Sequence, residues 1–307
     1  MLIRYTCFLA CGASVGALLL KVWGVMPMQQ AFLWLTVPAI LFVLWLWRRR
    51  GPVGEAISVG FAAGLVASIA YDLARIPFVI AGMRVFATIS IFGVWLLDVP
   101  TNSNLTETAG WLYHYSNGIS FGIMYALFGK GRHWGWAVVW ACALETLALA
   151  SPFGAIFGFT GDWKPMGIAY LGHVAYGIPL GRMVRNWQST CESLDAMPRR
   201  VQATLTLAAI GAIGWMLHTA NPVVKPASFE IDGVRLVPDI QRIARGSSIE
   251  YRNAGAPAPV MLAGREWKVE NRLAVPMDRP GIYQTWVRHE GRSRSSFVIV
   301  EPVEESR

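Results

Sequence analysis

Four ionisable side chains lie inside apolar stretches of the sequence, where each is costly to bury. They are two carboxylates and two imidazoles: Asp72, His114, Glu145 and His173. Ionisable groups within membrane-spanning segments are rare and mark functional sites by default. Two imidazoles and two carboxylates also form a ligand set that suits Zn, Fe, Mn or Cu. We therefore predict a polar functional site. The more specific hypothesis is a transition metal bound by these four residues.

The same four residues admit other interpretations. A proton or ion relay through a membrane uses the same kinds of groups. Interhelical hydrogen bonds, worth about 0.6–2 kcal/mol each, would hold helices together without any ligand. A structural role is open for Asp72 in particular, because Arg75 lies three residues further on and an i,i+3 ion pair stabilises a helix. The chemistry is therefore undecided at this point.

A spacing pattern recurs around the two histidines. Glycines follow each of them at four and eight residues, in the runs His114-x3-Gly118-x3-Gly122 and His173-x3-Gly177-x3-Gly181. Such positions share one helix face, where small residues let two backbones approach closely. The pattern resembles helices that hold a haem between two histidines, which makes haem an alternative cofactor, although such glycines are also the common packing motif of bundles. The repeat indicates a duplicated unit in 109–128 and 166–184.

No enzyme motif accompanies these residues. The sequence lacks Gly-x-Ser-x-Gly, the phosphate-loop spacing and HExxH, so no reaction can be named and enzyme activity stays open. The net charge of +8 does not indicate nucleic-acid binding either, because the basic residues sit between apolar runs and form no stripe.

The elements that must position these residues are membrane-spanning helices. Hydrophobic residues make up 54% of the chain and charged residues 15%, whereas soluble domains carry about 25% charged residues. Residues 1–224 contain 14 Lys+Arg and 8 Asp+Glu, while the much shorter 225–307 contains 13 and 11. We therefore predict an all-α polytopic membrane helix bundle over 1–220 and a separate soluble domain over 225–307.

Eight stretches approach the roughly 20 apolar residues that a helix needs to cross the hydrocarbon core. They are 2–23, 30–47, 54–73, 76–97, 109–128, 134–151, 166–184 and 201–218. Lys/Arg in short loops belong on the cytoplasmic side, and eight crossings cannot put 48–50, 130–132 and 182–200 there together. Only 85–97 is uninterrupted in 74–98, and that length rises about 20 Å as a helix. We therefore favour seven spans with 74–98 re-entrant or interfacial; eight spans is the alternative.

Seven crossings put the N-terminus in the cytoplasm and the C-terminal domain outside, as expected of a multi-pass protein of the bacterial inner membrane. At about 1.5 Å of rise per residue, the four ionisable residues then share one layer roughly 10 Å deep. The sequence therefore predicts a polar site near the outer leaflet, beneath the soluble domain.

The C-terminal domain has the pattern of a small all-β sandwich. Short alternating or β-branched stretches, each a predicted strand, are separated by Gly, Pro and Asn. They are Phe229–Leu236, Ser248–Arg252, Trp267–Val269, Leu273–Pro276, Ile282–Val287 and Phe297–Val300. Their order resembles a cupredoxin over Phe229–Val300, where a strand leads into RIARGSSIEYRNAGAPAP and a Pro-Gly-x-Tyr turn opens PGIYQTWVRHEGRSRSSFVIV. A type 1 copper site needs a Cys thiolate and two histidines, but this domain has no Cys and only His289. The resemblance implies the fold without copper, and an immunoglobulin-like sandwich is the competing fold.

Three hypotheses of function follow from these features. The first is an integral membrane protein with a metal- or redox-related site near the outer leaflet, capped by a copper-free β domain. The second is a transporter or proton-coupled carrier in which the same four residues act as a relay. The third is a non-catalytic subunit whose β domain docks an extracytoplasmic protein. The lipid bilayer is the partner common to all three.

Overall fold

The computed structural model describes residues 1–49, 51–81, 85–157, 163–196, 228–233, 235–238, 240–288 and 296–301. Helices predominate in the described residues up to 196, and the strands lie from 228 onward. The predicted division into a helical N-terminal region and a β-sheet C-terminal domain is confirmed. The chain separates into two compact units, 1–77 with 111–215 and 78–110 with 216–307. The predicted span at 201–218 and the boundary near 220 lie outside the described residues.

Most of the helices follow the predicted apolar stretches, but the stretch 76–97 is divided between the ends of two helices, Pro52–Ile80 and Ala87–Leu97. In chain order the helices are α1 (Leu2–Cys11), α2 (Ala13–Val22), α3 (Met28–Ala31), α4 (Val37–Arg48), α5 (Pro52–Ile80), α6 (Ala87–Leu97), α7 (Asn104–Gly129), α8 (Gly135–Ala150), α9 (Pro152–Ile156), α10 (Trp163–Arg185) and α11 (Trp187–Asp195). A π-helical turn at Phe32–Thr36 joins α3 to α4, so Met28–Arg48 runs as one helical segment.

Some of these helices are suited to a membrane. Within the described part of the chain, Met28–Arg48 and Pro52–Ile80 are long and apolar enough to cross one. Together α1 and α2, bent by 46° at the break between them, make a third candidate. Both α7 and α10 have sufficient length, 26 and 23 residues, but their polar side chains keep them below the same apolar standard. The number of crossings therefore stays a prediction.

The end of α5 differs from the predicted stretch 54–73, because the helix continues to Ile80 through Arg75 and Pro77. Sequence reasoning ended the span where these two residues interrupt the apolar run. The structure accommodates Arg75 because its guanidinium carbon lies 4.9 Å from the centroid of the Tyr71 ring, one turn earlier on the same helix. Only 6% of Arg75 is exposed, so the cation belongs to the interior of the helical unit.

The C-terminal strands form two sheets around one core. They are β1 (Ser228–Asp232), β2 (Arg235–Val237), β3 (Ile240–Ala244), β4 (Ser248–Asn253), β5 (Ala258–Leu262), β6 (Arg265–Val269), β7 (Arg272–Pro276), β8 (Gly281–Val287) and β9 (Ser296–Glu301). The strand orders are β2-β1-β4-β7 and β3-β9-β8-β5-β6. Phe229 and Tyr251 of the first sheet and Val260 and Val298 of the second are fully buried in one hydrophobic cluster, which makes the domain a β-sandwich.

The segment that follows α6 joins the edge of the second sheet within the same compact unit. Thr101 forms an isolated antiparallel bridge with Gln241 of β3. The next residue, Arg242, places its guanidinium 2.5 Å from the carboxylate of Asp98 and 3.0 Å from that of Glu301. The helix α6 and its following loop are therefore tied to the sandwich by backbone pairing and by a two-carboxylate ion pair.

Candidate functional site

The polar centre of the helical unit begins with a pair between α5 and α7. The Nε2 atom of His114 lies 3.1 Å from Oδ1 of Asp72, and the two side chains are only 18% and 13% exposed. The other carboxylate oxygen of Asp72, Oδ2, is buried and has no hydrogen-bond partner in the described part of the structure. A neutral imidazole with its proton on Nε2 satisfies this contact, so the pair requires no additional proton.

A second pair joins α8 to α10 and has a different proton requirement. The Nε2 atom of His173 lies 3.5 Å from Oε2 of Glu145, with side chains 16% and 10% exposed. On the other side of the ring, Nδ1 lies 2.9 Å from the carbonyl oxygen of Ala169. A carbonyl only accepts, so Nδ1 must carry a proton and Nε2 of a neutral ring would present a lone pair to the carboxylate. An attractive contact therefore needs one additional proton, on the imidazole or on the carboxyl group.

Tyr71 connects the two pairs. Its ring centroid lies 5.7 Å from that of His114 and 5.1 Å from that of His173, the latter edge-to-face. Gly172 makes room for the ring, because a Cβ at this position would lie 2.6 Å from the tyrosine ring carbon Cε2. With Arg75 over the same ring, the centre comprises two acid–imidazole pairs around one aromatic ring, with one buried cation beside it.

The glycines after His114 serve the packing of α7 against α5. A Cβ on Gly122 would lie 2.5 Å from the carbonyl oxygen of Gly60 and from Cα of Gly64. Gly118 faces Ser68 of α5 in the same way. On α5, therefore, small residues at four-residue intervals lead up to Asp72, and their partners on α7 lead up to His114.

The second helix pair repeats this construction. A Cβ on Gly177 would lie 2.5 Å from Cα of Val138, and Gly181 lies against the backbone of Trp134. On α8, Ala137 and Ala141 are fully buried and lead, again at four-residue intervals, to Glu145. The unit that the two histidine–glycine runs indicate is thus a pair of antiparallel helices, with small residues at the contact and an acid opposite a histidine.

The four predicted site residues form two pairs and not a single ligand cluster. Among the residues that the structure describes, no three His, Cys, Asp or Glu side chains gather as they would around a metal ion. Sequence reasoning missed Tyr71 and Gly172, the residues that fit between the pairs. Their position in the chain could have revealed them, since each directly precedes a predicted site residue, Asp72 or His173.

The β domain lacks the residues of a type 1 copper site. It contains no cysteine, and its one histidine, His289, lies outside the described residues. Two of its acidic residues are engaged in ion pairs with arginines, Glu250 with Arg252 and Arg272, and Glu266 with Arg288. The arginine of each pair is exposed, so each pair contributes little to stability.

Comparison with known proteins concerns the fold of this domain. No protein-family model and no curated protein matches the chain. Among solved structures, this chain is similar to a reduced Cu(I) form of an amicyanin variant. The two share 15% identity with a TM-score of 0.22, and the match covers 27% of this chain and 88% of that one. An oxidised amicyanin variant gives 15% identity, a TM-score of 0.22, and coverage of 26% and 87%.

A third similar structure is the copper-containing nitrite reductase from Thermus scotoductus, with 14% identity, a TM-score of 0.22, and coverage of 27% of this chain and 25% of that one. The predicted resemblance of the tail to a cupredoxin is confirmed as a likeness of fold. It brings no copper chemistry with it.

Proposed function

We propose that this chain is an integral membrane protein that takes up and passes on a proton at the Glu145–His173 pair. The hydrogen bond from Nδ1 of His173 to the carbonyl of Ala169 carries the proposal, because it leaves Nε2 unprotonated in a neutral ring. The facing carboxylate at 3.5 Å is then held only if the pair has a further proton. Such a proton is shared between two groups of different kinds, as a relay requires.

The charges of the centre support the same number of protons. Asp72 and Glu145 contribute two negative charges and Arg75 one positive charge, all on side chains that are buried. Low-dielectric surroundings favour a neutral sum, and one additional proton supplies it. A divalent metal ion would instead leave the centre with one positive charge, so the charges favour the proton.

The proposed topology has seven crossings, with the N-terminus in the cytoplasm and the β domain outside, where a protein partner would meet it. The contacts between Asp98–Thr101 and β3 require this segment and the β domain to be on one side of the membrane, which seven and eight crossings both allow; the positions of the Lys/Arg loops favour seven. An even number of crossings between Thr101 and the β domain meets that requirement. In this proposal the helices α7, α8 and α10 would supply three crossings, and the apolar stretch 201–218 would supply the fourth.

Infrared difference spectroscopy of the full-length protein in lipid nanodiscs tests the proposal. A pH step between 5 and 9 should exchange one proton, and bands of a protonated carboxyl group or of imidazole should shift with it. Glu145→Gln should abolish this signal. Asp72→Asn is the matched comparison: it removes one negative charge from the same centre but leaves the Glu145–His173 pair in place, so the signal should remain but move to lower pH.

Two results would overturn the proposal. One is a pH-difference signal that is the same in wild type and in Glu145→Gln. The other is a stoichiometric transition metal in the purified protein that is lost in His173→Ala, which would favour the metal hypothesis instead.

A further inference from the structure

An open groove on the helical unit has the features of a lipid-binding site that is independent of the polar centre. Its volume is about 300 Å³, at the lower end of the range for small-molecule sites. The walls come from α1, α7 and α8 and are largely aromatic: the ring of Phe8 lies 5.8 Å from Phe128 and 5.9 Å from Trp140. Trp136, on the same groove, is 56% exposed.

One end of the groove is polar. Arg132 lines it just after the C-terminus of α7 and is exposed, with its Nε atom donating to the carbonyl of Phe128 at 3.2 Å. Tyr125, one turn before Gly129, is 9% exposed, and its hydroxyl has no hydrogen-bond partner among the described residues. Gly129 lets the tyrosine ring lie at this end, because a Cβ there would be 2.7 Å from ring carbon Cε1.

A buried hydroxyl without a partner is costly, so an acceptor on a bound molecule would stabilise it. Beside an arginine, the acceptor that gains most is an anionic oxygen, and guanidinium groups favour phosphate. The aromatic walls, in turn, suit a hydrocarbon chain. A molecule with a phosphate at one end and an apolar chain at the other satisfies both parts of the groove.

We propose that this groove binds an anionic phospholipid, with its acyl chain between Phe8, Phe128 and Trp140 and its phosphate at Arg132 and Tyr125. The predicted topology puts the 130–134 turn on the cytoplasmic side, where the leaflet carries anionic lipids. Nearby Lys130 is engaged elsewhere: it pairs with Glu55 at 3.5 Å and lies over the ring of Trp187.

Native mass spectrometry of the full-length protein with added phosphatidylglycerol or phosphatidylcholine tests this. Phosphatidylglycerol should bind with a stoichiometry of about one and be preferred. Arg132→Ala should lower its occupancy about fivefold, the effect expected on losing a charge-assisted hydrogen bond from the guanidinium to the phosphate. Tyr125→Phe, which keeps the ring and removes only the hydroxyl, should lower it roughly as much.

Ala143→Trp tests the chain-binding part, because Ala143 lines the groove, is exposed, and can take a larger side chain without disturbing the core. This variant should lose both lipids. Lys130→Ala is the control and should bind phosphatidylglycerol as the wild type does. Equal binding of the two lipids by the wild type, or an equal loss in Lys130→Ala and Arg132→Ala, would overturn the proposal. A Tyr125→Phe variant with unchanged occupancy would remove the hydroxyl from it.

Discussion

The contact between His114 and Asp72 leads us to expect that His114→Ala lowers the stability of the protein substantially. Adding Asp72→Asn should reverse much of that loss. Truncating His114→Ala leaves the Asp72 carboxylate, 13% exposed, without its donor at 3.1 Å. Leaving a buried charged acceptor without its donor costs about 1–3 kcal/mol or more, and the packing lost with the imidazole adds about 1 kcal/mol. We therefore expect His114→Ala to lower the free energy of unfolding by about 2–4 kcal/mol at pH 7.

The loss should shrink when the charge is removed as well. In Asp72→Asn with His114→Ala, no charge remains to be desolvated, and only the lost packing and hydrogen bond remain, about 1–2 kcal/mol. Reversible unfolding of the full-length protein in mixed detergent micelles, followed by tryptophan fluorescence, measures all four corners of this double-mutant cycle. A coupling free energy below about 0.5 kcal/mol would refute the reasoning, because it would mean that the two groups are solvated separately.

Three further outcomes follow from the structure. Gly177→Leu should separate α10 from α8 and destabilise the protein by about 1–3 kcal/mol, while Gly167→Ala, at a helix position with open space around it, should leave the stability unchanged or raise it by up to about 1 kcal/mol in the same unfolding assay. Arg242→Ala should increase amide exchange of the loop after α6 and of β3, measured by mass spectrometry, because it removes the link to two carboxylates; unchanged exchange would contradict the ion pair. The hydrogen bond from Arg252 lowers the pKa of Glu250, so this group stabilises the fold above the pKa of the unfolded carboxyl, about 4.3, and that stability is lost as pH falls through the lower folded value. In Glu250→Gln, the stability of the β domain should therefore fall less steeply as the pH is lowered below about 4.3. The same pH dependence in the variant and the wild type would contradict this role of Glu250.

The helices were predictable because apolar length and loop charge are local properties of the sequence. The end of α5 was not predictable in this way. Counting apolar residues treats Arg75 as a break, whereas in the structure Arg75 lies over the Tyr71 ring and the helix continues to Ile80. In the β domain, the stretch predicted from Phe229 to Leu236 is two strands with a turn at Gly233, which has a positive φ. Turns of this kind divide an apolar run without changing its hydropathy.

Strand β5 was missed for a different reason. Its sequence contains Pro259, and proline argues against a strand that is paired on both sides. The strand nevertheless pairs with β6 and with β8, and the carbonyl of Pro259 accepts from the backbone N–H of Arg288 at 2.7 Å. For the polar centre, residue type identified the four ionisable groups, but only tertiary packing shows which acid faces which histidine.

The two helix pairs share a construction, yet their surroundings differ. The residue before Asp72 is Tyr71 and the one three positions after it is Arg75, whereas Glu145 has Leu144 and Ala148 at those positions. A duplicated frame with unequal neighbours is not symmetric in energy. If a proton is shared between the two halves, this difference fixes which pair would hold it at equilibrium.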